Sequence, residues 1–293
     1  MEENRMRKEA EETAEDIIVE AKDVYYSYED GGRPSLNGVS LKIARGKKVA
    51  FLGANGSGKS TFFLCCNGIH KPDSGTIFIG GRPLDYSRKG LMDVRRKVGI
   101  VFQDPDDQLF LASVYQEISF GPMNLGLPEA EVRSEIERVM DDLEITPFRD
   151  RPAHALSGGQ KKQVAIADVL VMHPDVIILD EPASALDAKH TKLMNEIVDR
   201  LAMEGITILM ATHDIGYALE WADEIVLMHE GRVLLQADPV TVCGSREELA
   251  LANQEAPAVL RLFWRLEEKG VLEKDLRPPV NFEQLEQYIA EGR

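Results

Sequence analysis

The chain predicts an α/β fold built on a mostly parallel sheet, and three observations carry that expectation. Short apolar runs recur along the chain as buried strands: Val49-Ala50-Phe51-Leu52, Lys97 to Phe102, Val176 to Leu179, Ile206 to Met210 and Glu224 to Met228. Between them lie helical segments, Val164 to Val171, Leu193 to Leu201 and Tyr217 to Trp221, and this alternation indicates a sheet covered on both faces. The string Gly53-Ala54-Asn55-Gly56-Ser57-Gly58-Lys59-Ser60 joins the first of these strands to a helix opening at Thr61-Phe62-Phe63-Leu64. It fits the strand, loop, helix pattern G-x-x-x-x-G-K-[ST] residue for residue.

The remaining elements follow in order. Residues 1–16 read as a charged lead. Val24, Tyr26 and Tyr28 share one parity in a strand that begins at Ile17 and breaks at Glu29-Asp30-Gly31-Gly32. Ser40 to Ile43 is a second strand, ending at Arg45-Gly46-Lys47, and the two are expected to form an antiparallel sheet leading into the Val49 strand. A turn at His70 to Gly75 precedes the short strand Thr76 to Ile79. From Pro105 to about Asp150 the character changes. Val132, Ile136, Val139, Met140 and Leu143 keep helical spacing, with breaks at Gly121-Pro122 and Gly126-Leu127-Pro128, so a helical subdomain is expected at about residues 105–170. A hairpin at His229 to Arg232 ends the main domain, residues 17–239. The helical stretch 240–293 reads as a small C-terminal accessory domain.

At 293 residues, 44% of them hydrophobic, the chain holds one large α/β domain and an appendage. A formal net charge of -16 argues against nucleic acid or an anionic membrane surface as main partner, since either wants clustered cations. The acidic opening from Met1 is neither a signal peptide nor an anchor, and no apolar run is long enough to span a bilayer. Three cysteines, two of them adjacent at Cys65 and Cys66, give no disulfide framework and no metal spacing, which places the chain in a reducing cytosol.

The glycine-rich string calls for phosphate. Backbone N–H groups curling round a nucleotide's phosphates, backed by a helix N-terminus, supply donors without bulk. Asn55, Gly56, Ser57, Gly58, Lys59, Ser60 and Thr61 are the candidates, with Lys59 reaching the β- and γ-phosphates and the Ser60 hydroxyl ligating Mg²⁺. Magnesium needs an acidic site as well. Asp180 supplies one at the C-terminal end of its strand, where open α/β sheets bind ligands. Glu181 follows with the opposite side-chain direction, so one carboxylate can face the metal and the next an attacking water. Leu156-Ser157-Gly158-Gly159-Gln160, ahead of a helix expected from Lys161, is a second anion nest. One nucleotide does not need two nests, so the second serves a nucleotide held mainly by another subunit. His213, at the end of the Ile206 strand, can reach the terminal phosphate and orient the water. His70, His154, His173, His190 and His229 read as surface residues.

Together, the phosphate loop, the strand-end Gln103, Leu156 to Gln160, Ile177 to Glu181, Ser184-Ala185-Leu186-Asp187 and His213 resemble the full motif set of an ABC transporter ATPase over residues 18–236. The resemblance implies ATP and Mg²⁺, hydrolysis to ADP and phosphate, and two ATPase subunits that sandwich each ATP between one phosphate loop and the other subunit's Ser157 to Gln160. It implies Tyr28 as the ring stacked on adenine, with Tyr25 and Tyr26 as rivals. It further implies Gln103 as a contact to Mg²⁺ or the water, Asp180 as metal ligand, Glu181 as general base, His213 as γ-phosphate sensor and Asp187 at the dimer seam.

Val101 to Phe110 and Phe120 to Pro128 resemble the ATPases of energy-coupling-factor importers, which take up vitamins or transition-metal ions and carry a C-terminal extension. Asp85 to Met92 looks most like the cobalt-import members. The implied partners are a second ATPase subunit, identical or a close paralogue, a transmembrane coupling subunit and a substrate-binding membrane component, at the cytoplasmic face of the membrane and without nucleic acid. The surface from Asp104 to Leu127, with Leu109, Phe110 and Tyr115 expected to be exposed, is the groove for the membrane subunit. Two stretches depart from the family: Ala183-Ser184-Ala185 stands where it usually reads Thr-Ala-Gly, and Gln163 where it has Arg. Neither removes a phosphate, metal or base group. A soluble ABC-type protein acting on ribosomes or DNA would carry tandem domains or a coiled-coil insertion, and a non-catalytic regulator would lose Glu181 or His213. A vitamin importer remains the open alternative.

Overall fold

The computed structural model describes residues 17–29, 31–184, 186–274 and 276–291; the charged lead expected over residues 1–16 lies outside them. β1 (Ile17–Tyr26) pairs antiparallel with β2 (Leu36–Ala44) and with β4 (Ser74–Ile79), and β5 (Arg82–Pro83) completes this sheet. The expected β1–β2 pair forms and, as expected, leads into β3 (Lys48–Leu52). A turn through Gly46, at φ 71, sends the chain into a second sheet of order β10-β9-β3-β8-β7-β6. There β6 (Val98–Val101), β7 (Val176–Asp180), β8 (Thr207–Ala211), β3 and β9 (Glu224–His229) run parallel, and β10 (Arg232–Ala237) pairs antiparallel on the edge.

The two-residue period of these strands divides the interior. Val49, Phe51, Ile178, Leu209 and Val226 face the antiparallel sheet and pack with Phe62, Phe63, Cys65 and Cys66 of α1 (Lys59–Cys66). Burial pushes the Cys65 thiol up to about 12 and the Cys66 thiol well above its usual value, so both behave as small apolar side chains. Their neighbours Ala50, Leu52, Ile177, Leu179, Ile208 and Leu227 face the helical layer. Along the chain α2 (Arg88–Lys97) precedes β6. The helical layer holds α3 (Val114–Asn124), α4 (Glu129–Asp142), α5 (Gly158–Leu170), α6 (Ala188–Met203) and α7 (Ile215–Trp221). The C-terminal stretch forms α8 (Pro239–Gly244), α9 (Arg246–Leu251), α10 (Ala258–Glu268) and α11 (Phe282–Glu291), and its Val242, Leu249, Leu260, Phe263 and Leu285 join the same apolar cluster. No helix among the described residues is long and apolar enough to cross a membrane.

Helix ends differ from the periodicity because capping sets them. α5 starts at Gly158 rather than Lys161: the Ser157 hydroxyl accepts from the Gln160 N–H at 3.3 Å and Gln160 Oε1 accepts from the Ser157 N–H at 3.0 Å, a reciprocal cap. α6 starts at Ala188 rather than Leu193, since the Asp187 carboxylate accepts from the His190 N–H at 2.8 Å. Apolar spacing sees only the stripe Met194, Ile197, Val198 and Leu201, which is the buried face. α2 escapes periodicity because it buries only Gly90 and Val94, and α3 because Pro122 lies within it.

The β6–α5 contact is tight. A Cβ at Gly99 would stand 1.9 Å from Val169 Cγ1. Gly99→Ala is therefore expected to destabilise the chain by about 1–3 kcal/mol through overpacking. Urea unfolding midpoints check this, and adding Val169→Ala should recover part of the loss.

Candidate nucleotide-binding site

β3, β8, β7 and β6 lie side by side, and the chain leaving their C-terminal ends carries the phosphate loop, His213, Glu181 and Gln103 respectively. In the loop, Gly53 has φ 143, and a Cβ there would stand 2.2 Å from the Met228 carbonyl oxygen. Gly58, at φ 107, would press one to 2.7 Å from the Ser35 carbonyl oxygen. Both positions need glycine for conformation and for close approach. No side chain caps α1, and its first turn holds no acidic residue. Lys59, 6% exposed, donates from Nζ to the carbonyl oxygens of Gly53 at 2.8 Å and Ala54 at 3.2 Å. Burial lowers its pKa, opposed by the charges of Glu181 and Asp180.

The Ser57 hydroxyl is buried and has no partner among the described residues. A buried orphan hydroxyl, an uncapped helix N-terminus and an ammonium together fit a phosphate group. Ser60, Asp180 and Gln103 offer hydroxyl, carboxylate and amide oxygens, the hard donors that Mg²⁺ prefers.

Glu181 has φ 47, in the left-handed region, and its N–H donates to the Ala211 carbonyl at 3.1 Å. Its Oε1 lies 2.5 Å from His213 Nε2, and its Oε2 accepts from Gln103 Nε2 at 3.2 Å. Three strand ends thus deliver one hydrogen-bonded cluster. Asn55 to Thr61, Gln103 and Glu181 line a cleft of about 330 Å³. Tyr28 stands beside it, 58% exposed, its hydroxyl 3.2 Å from Thr61 Oγ1. Of its rivals, Tyr26 stacks on His70 at 4.7 Å, and the Tyr25 hydroxyl occupies the space beside Gly38, where an added Cβ would stand 2.9 Å from it.

Ser157, Gly158, Gly159 and Gln160 stand outside that cleft. Gly158 lines a neighbouring cavity of about 610 Å³ with Lys161, Lys162, Gln103 and the buried Asp180. Three of the expected surface histidines are engaged, His173 at the surface with its Nε2 3.1 Å from Glu135 Oε1. Half-buried His70 stacks on Tyr26, and the His190 ring packs over Gly159, bonded to Asp187 Oδ1 at 2.7 Å. The groove expectation needs a correction: Leu109 is buried, because Glu117 Oε2 accepts from the N–H groups of Phe110 at 3.0 Å and Leu111 at 2.6 Å and the chain turns there. Phe110, 67% exposed, meets Phe120 edge to face at 5.5 Å, and Tyr115 is half-buried beside the Arg149 guanidinium.

Two residues near the site went unread in the sequence, Lys162 and Gln108. Lys161-Lys162-Gln163 looks like a solvated helix face, yet Lys162 is 1% exposed. Starting the helix at its true cap would have found it, since Gly159, Lys162, Gln163 and Ile166 then share the buried side.

A glycine loop between strand and helix, with two consecutive carboxylates at the end of β7 in the same row of strand ends, defines a phosphate-loop nucleoside triphosphatase. The family model described as ABC transporter matches residues 36–184. The chain is 46% identical over 256 residues to the energy-coupling factor transporter ATP-binding protein EcfA3 of Clostridium perfringens, covering 87% of this chain and 90% of that one. It is similar to the solved structure of cbiO1 from Clostridium perfringens, part of the ABC transporter complex cbiONQ, with 45% identity, a TM-score of 0.72 and coverage of 87% and 100%. It is also similar to a dimeric ATP-binding cassette in a post-hydrolysis state bound to ADP and Pi, with 28% identity, a TM-score of 0.68 and coverage of 76% and 99%. The chain belongs to the ABC transporter family, among the energy-coupling-factor ATP-binding subunits.

Lys59→Ala should weaken nucleotide binding by about 10- to 100-fold, the range of a hydrogen bond to a charged group. Tyr28→Ala should weaken it less, by about 1 kcal/mol, with Tyr28→Phe near wild type. Titration with a fluorescent ATP analogue measures all three.

Proposed function

We propose that the chain is the ATP-hydrolysing subunit that powers import through an energy-coupling-factor ABC transporter, with Glu181 taking the proton of the attacking water. The observation that carries this reading is the Glu181 carboxylate held between Gln103 and His213 at the phosphate-loop cleft. Those two contacts orient the carboxylate, and either oxygen can exchange its partner for a water. Lys59 and the backbone N–H groups of residues 55–61 hold the β- and γ-phosphates, Tyr28 stacks on adenine, and His213, 41% exposed, senses the terminal phosphate. Ser60, Asp180 and Gln103 would hold Mg²⁺, which when bound would neutralise charge building on the phosphate oxygens.

The nest at Ser157, Gly158, Gly159 and Gln160 stands apart from the phosphate-loop cleft of its own chain, which supports a nucleotide shared between two subunits, with Asp187 at the seam. ATP then favours the closed pair and hydrolysis loosens it. The exposed Phe110–Phe120 edge is offered to a transmembrane coupling subunit, which works with a substrate-binding membrane component at the cytoplasmic face. Residues 17–239 carry the ATPase and 240–293 an accessory unit. A transition-metal ion, cobalt first, is the proposed cargo on the strength of Asp85 to Met92, with a vitamin as the alternative.

Glu181→Gln should keep ATP binding and lose roughly 10²- to 10⁴-fold in hydrolysis, since an amide cannot accept the proton. A phosphate-release assay decides, and full turnover removes Glu181 as the base. Mixing inactive Ser157→Arg with inactive Lys59→Ala should restore some hydrolysis, because one site in the mixed dimer is then intact. No recovery in verified mixed dimers counts against the shared site.

A further inference from the structure

α5, the helix that opens with Ser157, is tied along its length to residues 102–108, the segment leaving β6. Lys161 Nζ lies 2.5 Å from Asp106 Oδ1. Lys162 Nζ donates to the carbonyl oxygens of Phe102 and of Gln103, each at 2.8 Å. Gln108 Nε2 donates to the Ala165 carbonyl at 2.9 Å and to Asp168 Oδ2 at 3.1 Å. Residues 161, 165 and 168 are spaced by four and three, so one helix face runs beside the whole segment.

The contact at Lys162 is the unusual one. A lysine that is 1% exposed ordinarily meets a carboxylate, yet here the nearest bonds go to two peptide carbonyls, one of them belonging to Gln103. The charges of Asp180, Asp104 and Glu181 favour an ammonium there, and an aliphatic side chain would leave them uncompensated. What the direct hydrogen bonds add is a fixed position for two consecutive carbonyls. The Gln103 side chain, whose Nε2 reaches Glu181 Oε2 at 3.2 Å, is aimed by that backbone.

We propose that Lys162 is a positioning residue for hydrolysis: it anchors the Gln103 backbone to α5, with Gln108 as the second anchor, so that a shift of α5 reaches the Glu181 carboxylate through Gln103. The proposal rests on Glu181 as the base. Because α5 opens at the nest that serves the neighbouring subunit's nucleotide, the anchor links occupation of one site to the geometry of the base in the other.

The test compares full-length wild type, Lys162→Gln, Lys162→Arg, Gln108→Leu and Glu181→Gln for kcat, KM for ATP, fluorescent-nucleotide affinity and Tm. Lys162→Gln should lower kcat by about tenfold or more, the scale on which misplacing a catalytic group acts, with nucleotide affinity within about twofold of wild type. Lys162→Arg should restore most of the rate, since a guanidinium can also span two carbonyls. Added to Glu181→Gln, the Lys162→Gln change should have little further effect, because both act through one carboxylate. A kcat near wild type in a folded Lys162→Gln protein overturns the proposal. So does a Lys162→Arg protein that melts like wild type yet turns over no faster than Lys162→Gln, or full additivity with Glu181→Gln. If Lys162→Gln lowers Tm, Gln108→Leu decides: a loss in kcat alone supports the anchor, and an unchanged kcat overturns it. Should Glu181→Gln itself retain full turnover, the base assignment fails, and that outcome is distinct from any result at Lys162.

Discussion

Parallel pairing among four adjacent strands is the constraint from which the site follows. Phe51 of β3 and Asp180 of β7 both pair with Ala211 of β8, and Leu179 of β7 pairs with Val101 of β6, so the four strands end in register at one edge. A slip of one residue in any pairing would exchange the two faces of that strand and carry its end residue out of the row. Because Val49, Ile177, Leu179 and Leu209 are each fully buried on opposing faces, the register is held by both apolar layers at once. The glycine loop, Glu181, His213 and Gln103 meet because of it.

The same edge gathers charge that the interior tolerates only with partners. Lys59 is held by loop carbonyls, and burial lowers its pKa against the pull of Glu181 and Asp180. Lys162 is pushed down to about 8 by burial while Asp180, Asp104 and Glu181 pull it back up. Two cations, on α1 and α5, and several carboxylates, on β7 and in the chain leaving β6 and β7, therefore stabilise one another. Ser57 departs from this balance, as a buried hydroxyl lacking a partner among the described residues, and such a group is stabilised by a ligand oxygen rather than by the fold.

Between the strand edge and the helical layer the packing is continuous. Val101 and Leu109 share one apolar cluster with Ile118 of α3 and Val164 of α5, and the C-terminal residues Leu260 and Phe263 belong to it too. Close-packed contacts of this kind transmit displacement instead of absorbing it. The exposed Phe110–Phe120 edge follows directly on the segment, residues 102–108, that α5 grips beside the nucleotide site.

The sequence by itself determined the alternation of strands and helices, the glycine loop between β3 and α1, and Asp180 at a strand end, because local spacing and local backbone demands encode each of these within a few residues. It also carried the motif strings that identify the family. Helix starts at Gly158 and Ala188 were encoded too, in Ser157 with Gln160 and in Asp187 with His190, but apolar periodicity does not see polar caps. Only the tertiary structure decided the strand order β10-β9-β3-β8-β7-β6, that Leu109 turns inward, and that Lys162 is buried. It alone joined Gln103, Glu181 and His213, residues up to 110 positions apart in the chain, into one cluster. Strand order and helix docking are long-range choices, settled by which apolar faces bury together, and no local pattern around any of these residues records them.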